Sequence, residues 1–189
     1  KELLNFCTVD LSAFYFDIRK DSLYCDTKNS EKRKSCIIVL NIILESLLKW
    51  FAPILSFTTE EIFTLISKDK KSIHLEKFLE FPKSFENEKL NKKWLELKKI
   101  RDICNISIEA KRASKEIGSS LEANLTISLN ERLLKITENT NFSELCITST
   151  ARIEKNELDE VSALTTKAEG TKCPVCWKIN KEACERHSI

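Results

Sequence analysis

Apolar residues first recur at helical spacing in residues 3–18, where Leu3, Leu4, Cys7, Leu11, Phe14 and Ile18 share one face of a predicted amphipathic helix. A polar stretch follows, with six basic and three acidic residues between Arg19 and Lys34, and reads as a basic connection. The next predicted helix, residues 31–52, is apolar on nearly every side, so its expected place is the core of a helical bundle. Pro53 interrupts it. Thr58-Thr59-Glu60-Glu61 then offers a capping box for a helix running to about Ser67. After an irregular connection over residues 68–82, a long helix is predicted over residues 85–117, with Leu90, Trp94, Leu97, Cys104 and Ile108 on one stripe and Gly118 as its C-cap.

Beyond Gly118 the period changes from 3.6 to 2. Residues 123–129 alternate strictly and predict a strand with one buried face. Residues 131–139 predict a short helix, residues 145–149 a second strand, and residues 161–166 a third, weaker one. The expected fold is therefore mainly α, a helical bundle followed by a small α+β domain. The division expected is residues 1–84, residues 85–168 carrying the long helix, and a tail of residues 169–189.

Charge changes this picture locally. The chain carries only +2. Nine Lys/Arg face four Asp/Glu between Lys89 and Ile117, however, and between Glu138 and Glu169 the balance reverses to seven acidic against three basic. Polyanion binding must come from patches rather than from the global field. Composition removes other chemistry. The two glycines, Gly118 and Gly170, cannot build a dinucleotide fingerprint or a P-loop, each of which needs clustered glycines. No run approaches the ~20 apolar residues of a membrane span. The absence of methionine makes Lys1 no initiator, and the chain reads as a piece of a longer polypeptide. Cys7, Cys25, Cys36, Cys104 and Cys146 stand singly and read as small buried hydrophobes. His74 stands alone between Ile73 and Leu75 and is assigned no role; with one histidine outside the tail, no catalytic triad can be composed.

The tail carries the strongest motif. Cys173, Cys176, Cys184 and His187 follow C-x2-C-x7-C-x2-H, two knuckles of two ligands each, which suits tetrahedral coordination of one structural Zn2+. With four protein ligands no position remains for an activated water, so the site is expected to hold structure rather than catalyse. A redox reading of the Cys-x-x-Cys fails for lack of a βαβ context. Trp177 and Lys178 directly follow the second ligand, and Lys172 precedes the first. An aromatic able to stack a base, beside cations able to hold phosphates, points together with Arg19 and Lys20 to nucleic acid.

Phe14-Tyr15-Phe16-Asp17-Ile18-Arg19-Lys20-Asp21-Ser22-Leu23-Tyr24, the stretch from Trp50-Phe51-Ala52-Pro53 to Glu61, Ser72-Ile73-His74-Leu75, Ile117-Gly118-Ser119-Ser120-Leu121-Glu122-Ala123 and the four-ligand tail occur in one order. In that order they resemble the C-terminal part of the bacterial isoleucyl-tRNA synthetases, class I enzymes. The resemblance implies a helical anticodon-binding domain, a small α+β junction domain and a zinc knuckle, which hold the anticodon arm of the isoleucine tRNA. It places Trp177 near the anticodon. It also implies a cytoplasmic, monomeric ligase that uses ATP in a catalytic domain. The His-x-Gly-His and Lys-Met-Ser-Lys-Ser elements of that domain are not among these residues, and editing belongs to a more N-terminal part, so the fragment by itself is expected to be non-catalytic. Ser22 and Val175 stand where relatives often carry Arg, and His187 replaces a fourth Cys. Two other readings are the DNA-binding zinc module of a formamidopyrimidine-type DNA glycosylase and a non-catalytic interaction scaffold with a metal-stapled tail.

Overall fold

A computed structural model of the chain describes residues 1–67, 71–157 and 160–187. The backbone forms two compact units, one of residues 1–25 with residues 87–189 and one of residues 26–86. The first 25 residues, grouped with the helical part on sequence grounds, thus share the core of the larger unit.

In the larger unit the chain enters through α1 (Glu2–Asn5), a π-helical stretch (Phe6–Phe16) and α2 (Asp17–Cys25), which succeed one another without a break. The segment from Arg19 to Cys25, expected to open the basic connection, is therefore helical. Ile18 and Ser22, four apart and both buried, keep one face of α2 inward, while Arg19 and Lys20 fall beside it. The long helix α5 (Glu88–Ala113) is capped by the Asn87 side chain, which accepts from the Leu90 N–H at 2.9 Å. It ends before Gly118. Ser114 is the C-cap and Lys115 takes the left-handed conformation (φ 60°), so the expected glycine cap is not used. Gly118 instead donates its N–H to the Glu122 carboxylate at 2.9 Å.

β1 (Ala123–Leu129) lies at the centre of a three-stranded sheet, parallel to β2 (Thr150–Lys155) and antiparallel to β3 (Ser162–Lys167). Its strict alternation is realised in space: Ala123, Leu125, Ile127 and Leu129 are fully buried. They meet the α5 stripe of Leu97, Ile100, Cys104 and Ile108, joined by Ile18, Leu133 and Phe142 in one core. Of the five scattered cysteines, Cys36, Cys104 and Cys146 are buried as expected, whereas Cys7 and Cys25 are half-buried. The crossover from β1 to β2 carries α6 (Glu131–Thr137) and α7 (Phe142–Leu145), capped by Asn130 and Asn141. Residues 145–149, expected as a strand, are the end of α7 and a turn in which Ile147 has φ 56°. Asn141 nucleates that helix at its first turn, and the burial of residues 146, 148 and 149 belongs to the turn closing under the sheet.

In the smaller unit, α3 (Glu31–Phe51) is N-capped by Ser30, and α4 (Ser56–Ile66) packs beside it. The capping box at Thr58 is not formed: α4 starts earlier, after Leu55, and Thr59 turns its hydroxyl back to the Leu55 carbonyl at 3.0 Å. Leu48, Ala52 and Ile73 form the small core, with Phe63 against it. The all-round apolar character of α3 is thus only partly used. Ile37, Ile38, Val39 and Leu44 are exposed, because α4 and the turn Ile73–Leu75 cover only one side of the helix.

The larger unit ends in a two-stranded ribbon, β4 (Thr171–Lys172) against β5 (Ile179–Asn180), which carries the cysteine knuckle. Gly170, with φ 127°, enters it where a Cβ would lie 2.1 Å from the Asn180 carbonyl oxygen, so only glycine fits. No described helix is long and apolar enough to cross a membrane.

Candidate metal centre and nucleic-acid interface

The knuckle turn forms because the Trp177 N–H reaches the Cys173 carbonyl at 3.0 Å and the Cys173 N–H reaches that of Lys178 at 2.9 Å. This folds Cys173 and Cys176, both buried, toward Cys184 and His187 from the last turn. All four ligand atoms lie within 4.8 Å of one another. His187 Nδ1 is 3.3 Å from Cys184 Sγ and 3.5 Å from Cys173 Sγ, and Cys176 Sγ is 3.9 Å from Cys184 Sγ. A tetrahedron with bonds of ~2.3 Å to sulfur and ~2.0 Å to nitrogen has edges of roughly 3.5–3.8 Å. The four side chains fit one metal ion.

Burial raises the Cys176 thiol, but other contacts favour ligation. Hydrogen bonds from backbone N–H groups, first that of Cys176, pull the Cys173 thiol down to about 6, toward the thiolate a metal requires. His187 Nε2 lies 2.8 Å from the Cys25 carbonyl at the end of α2, so the proton sits on Nε2 and Nδ1 is free to bind the ion. That hydrogen bond is also the first cause of the raised His187 pKa. Arg186 adds a bidentate pair to Asp21 at 2.8 and 2.9 Å, and the Ile179 N–H donates to Ser149 Oγ at 2.6 Å. The knuckle is thereby tied to α2 on one side and to the turn before β2 on the other.

A cleft of about 350 Å³ opens beside the metal centre between α2, α7 and the knuckle. Trp177, Lys178 and Lys20 line it together, three residues singled out in the sequence although Lys20 stands far from the other two along the chain. Trp177 is 59% exposed and holds φ 63°, a conformation costly for a bulky residue, kept by the hydrogen-bonded turn around it. Lys172 Nζ lies 5.6 Å from the centre of the Trp177 ring and covers one of its faces. Arg19 does not line the cleft: it pairs with Glu144 at 2.7 Å. The sequence reading missed Tyr24, which is 82% exposed on the cleft wall, and the Asp21, Arg186 and Cys25 fastenings. Tyr24 stood inside the recognised stretch of α2; the fastenings join residues 162–165 positions apart and leave no local signal.

Residues 1–127, about two thirds of the chain, match the family model described as the anticodon-binding domain of tRNA ligase. The chain belongs to this family of anticodon-binding domains. Over its whole length it is 74% identical to an isoleucine–tRNA ligase of Pelagibacter ubique, of which it covers 21%. It is 38% identical to the isoleucine–tRNA ligase of Agrobacterium fabrum, with 96% of the chain aligned to 20% of that protein. With the isoleucine–tRNA ligase of Gluconobacter oxydans the identity is 37%, with 97% of the chain aligned to 19% of that protein. The chain thus spans about a fifth of the length of these relatives. The matched anticodon-binding region contains α2, α5 and the smaller unit, while the four-ligand centre lies C-terminal to it.

Proposed function

We propose that this chain is the anticodon-arm-binding part of an isoleucine–tRNA ligase, with one structural Zn2+ held by Cys173, Cys176, Cys184 and His187. The observation that carries the reading is the exposed, conformationally constrained Trp177 on the metal knuckle, sharing one cleft with Lys20, Lys178 and Tyr24. An unpaired base of the anticodon loop stacks on Trp177, and Lys20, Lys178 and Lys172 meet adjacent phosphates. Arg19 acts from behind, holding α7 to α2 through Glu144. The metal supplies no chemistry to substrate; it fixes the turn that presents Trp177. Isoleucine attachment with ATP belongs to another part of such a ligase, which works as a cytoplasmic monomer. The family match supports tRNA over the DNA-glycosylase reading.

The test is Trp177→Ala in the full-length ligase, with tRNA affinity and zinc content measured together. Affinity for the isoleucine tRNA falls by about 1–3 kcal/mol while zinc stays at one per chain. Unchanged affinity with zinc retained removes Trp177 from the interface.

A further inference from the structure

The Trp177 cleft is poorly built to attract a polyanion. Lys20 and Lys178 are the only two ammonium groups among its described lining residues, and Lys20 is already paired with Asp17 at 3.0 Å, while Asp21 and Glu144 are paired with Arg186 and Arg19. Phosphate affinity scales with the number of cations offered, so the lysines beside Trp177 supply only part of the grip.

A second concavity of the same unit has the opposite balance. Between the N-terminal half of α5 and α6 lies a groove of about 820 Å³, lined by Lys89, Lys92, Lys93, Lys99, Arg132 and Lys135, with Glu96 as the one carboxylate among the described residues of its wall. On a chain of net charge +2 this is a marked concentration. The spacing 89, 92, 93, 96, 99 keeps the α5 side chains on one helical face, and 132 and 135 do the same on α6. Lys99 and Arg132 share Glu96, at 2.8 and 3.5 Å, Lys135 pairs with Glu131 at 3.4 Å, and Lys93 donates to the Glu138 carbonyl at 3.0 Å, which leaves its charge uncompensated. Among the described residues no carboxylate pairs with Lys89 or Lys92, and both are exposed.

The groove and the cleft both border one further depression. A depression of about 230 Å³ shares Leu90 and Lys93 with the groove and Ile18 and Glu144 with the cleft, and is lined also by Asn139, Thr140 and Asn141. From Lys89 to Lys99 the groove runs ten residues of helix, about 15 Å, long enough for more than one phosphate of a strand.

We propose that the α5–α6 groove is a phosphodiester-backbone track for the same RNA, continuous with the Trp177 cleft, so that electrostatic grip and base contact sit at opposite ends of one channel. The assignment rests on the tRNA-binding reading given above. It commits to an RNA backbone because the wall offers flexible point charges in series and no aromatic group. The groove is sequence-indifferent, and discrimination belongs to the cleft.

The experiment compares the full-length protein with a variant carrying Lys89→Gln, Lys92→Gln, Arg132→Gln and Lys135→Gln, titrated with isoleucine tRNA between about 0.05 and about 0.2 M salt. All four side chains are exposed, so the melting temperature stays unchanged. Affinity falls about tenfold or more, and the slope of log K against log salt becomes shallower by about 0.7–0.9 for each phosphate no longer neutralised. The preference for isoleucine tRNA over an anticodon-substituted one is retained. Lys155→Gln with Lys167→Gln, at the sheet edges, leaves the slope as it was. Tight binding with an unchanged slope in the groove variant overturns the track alone and leaves the groove to an acidic protein face; absence of tRNA binding by the unsubstituted protein overturns the track and the tRNA reading together.

Discussion

His187 and Cys25 are joined by a 2.8 Å hydrogen bond from the imidazole Nε2–H to the backbone carbonyl that ends α2, while Nδ1 of the same ring faces Cys184 and Cys173. One side chain thus serves the candidate metal centre and the wall of the Trp177 cleft. A thiolate at this position would ligate equally well but could not reach back to α2. His187→Cys is therefore expected to retain one metal per chain and to lose about 0.5–1.5 kcal/mol of knuckle docking. Hydrogen exchange tests this: amides near the end of α2 and in residues 171–187 exchange faster in the variant. Unchanged exchange contradicts the role given to the Nε2 hydrogen bond.

Removing the metal is expected to release the knuckle while sparing the main core. Few large side chains of residues 171–187 are buried, whereas Leu97, Ile100, Leu125 and Ile127 are shielded without help from the metal. Chelation should liberate one equivalent of Zn2+, change Trp177 fluorescence and leave most of the helical circular dichroism intact. Zinc absent from the purified protein, or fluorescence indifferent to chelation, would count against the structural site.

Gly170→Ala places a methyl group 2.1 Å from a backbone oxygen at φ 127°. The opposing atoms belong to the backbone and not to the end of a flexible side chain, so β4 and β5 must separate. A loss of about 1–3 kcal/mol is expected, concentrated in the knuckle and read as weakened zinc retention under chelator competition. Gly118→Ala is the comparison. Its Cβ would meet only the Glu122 carboxylate, at 3.6 Å, and zinc retention should not change.

Leu125→Ala empties the centre of β1 against α5, where the residue is fully buried. A cost of about 2–5 kcal/mol is expected in denaturant unfolding of the larger unit, without a change in the metal-to-protein ratio. A cost under about 1 kcal/mol would mean that the sheet is not the core assigned to it.

These elements show what local sequence could and could not reveal. β1 was legible because its alternation coincides with one buried face, and the knuckle because its four ligands lie close together in the chain. Residues 145–149 alternate as well, yet the Asn141 cap commits Phe142–Leu145 to a helical turn, and periodicity cannot register a cap. Gly118 looked like a helix end, but Lys115 accepted the left-handed conformation first. Lys20 and Trp177 were each visible as candidates; their meeting was not, because it depends on Arg186 with Asp21 and His187 with Cys25, pairs 165 and 162 positions apart.

The role proposed for the metal knuckle is to present Trp177 to the anticodon loop of one tRNA. The most direct measurement titrates the zinc-loaded full-length protein with isoleucine tRNA and with the same tRNA substituted in its anticodon, at about 0.15 M salt, where purely electrostatic binding is weak. About tenfold or greater loss of affinity is expected for the substituted tRNA, and that difference disappears in Trp177→Ala. Equal affinity of the unsubstituted protein for both tRNAs would contradict it.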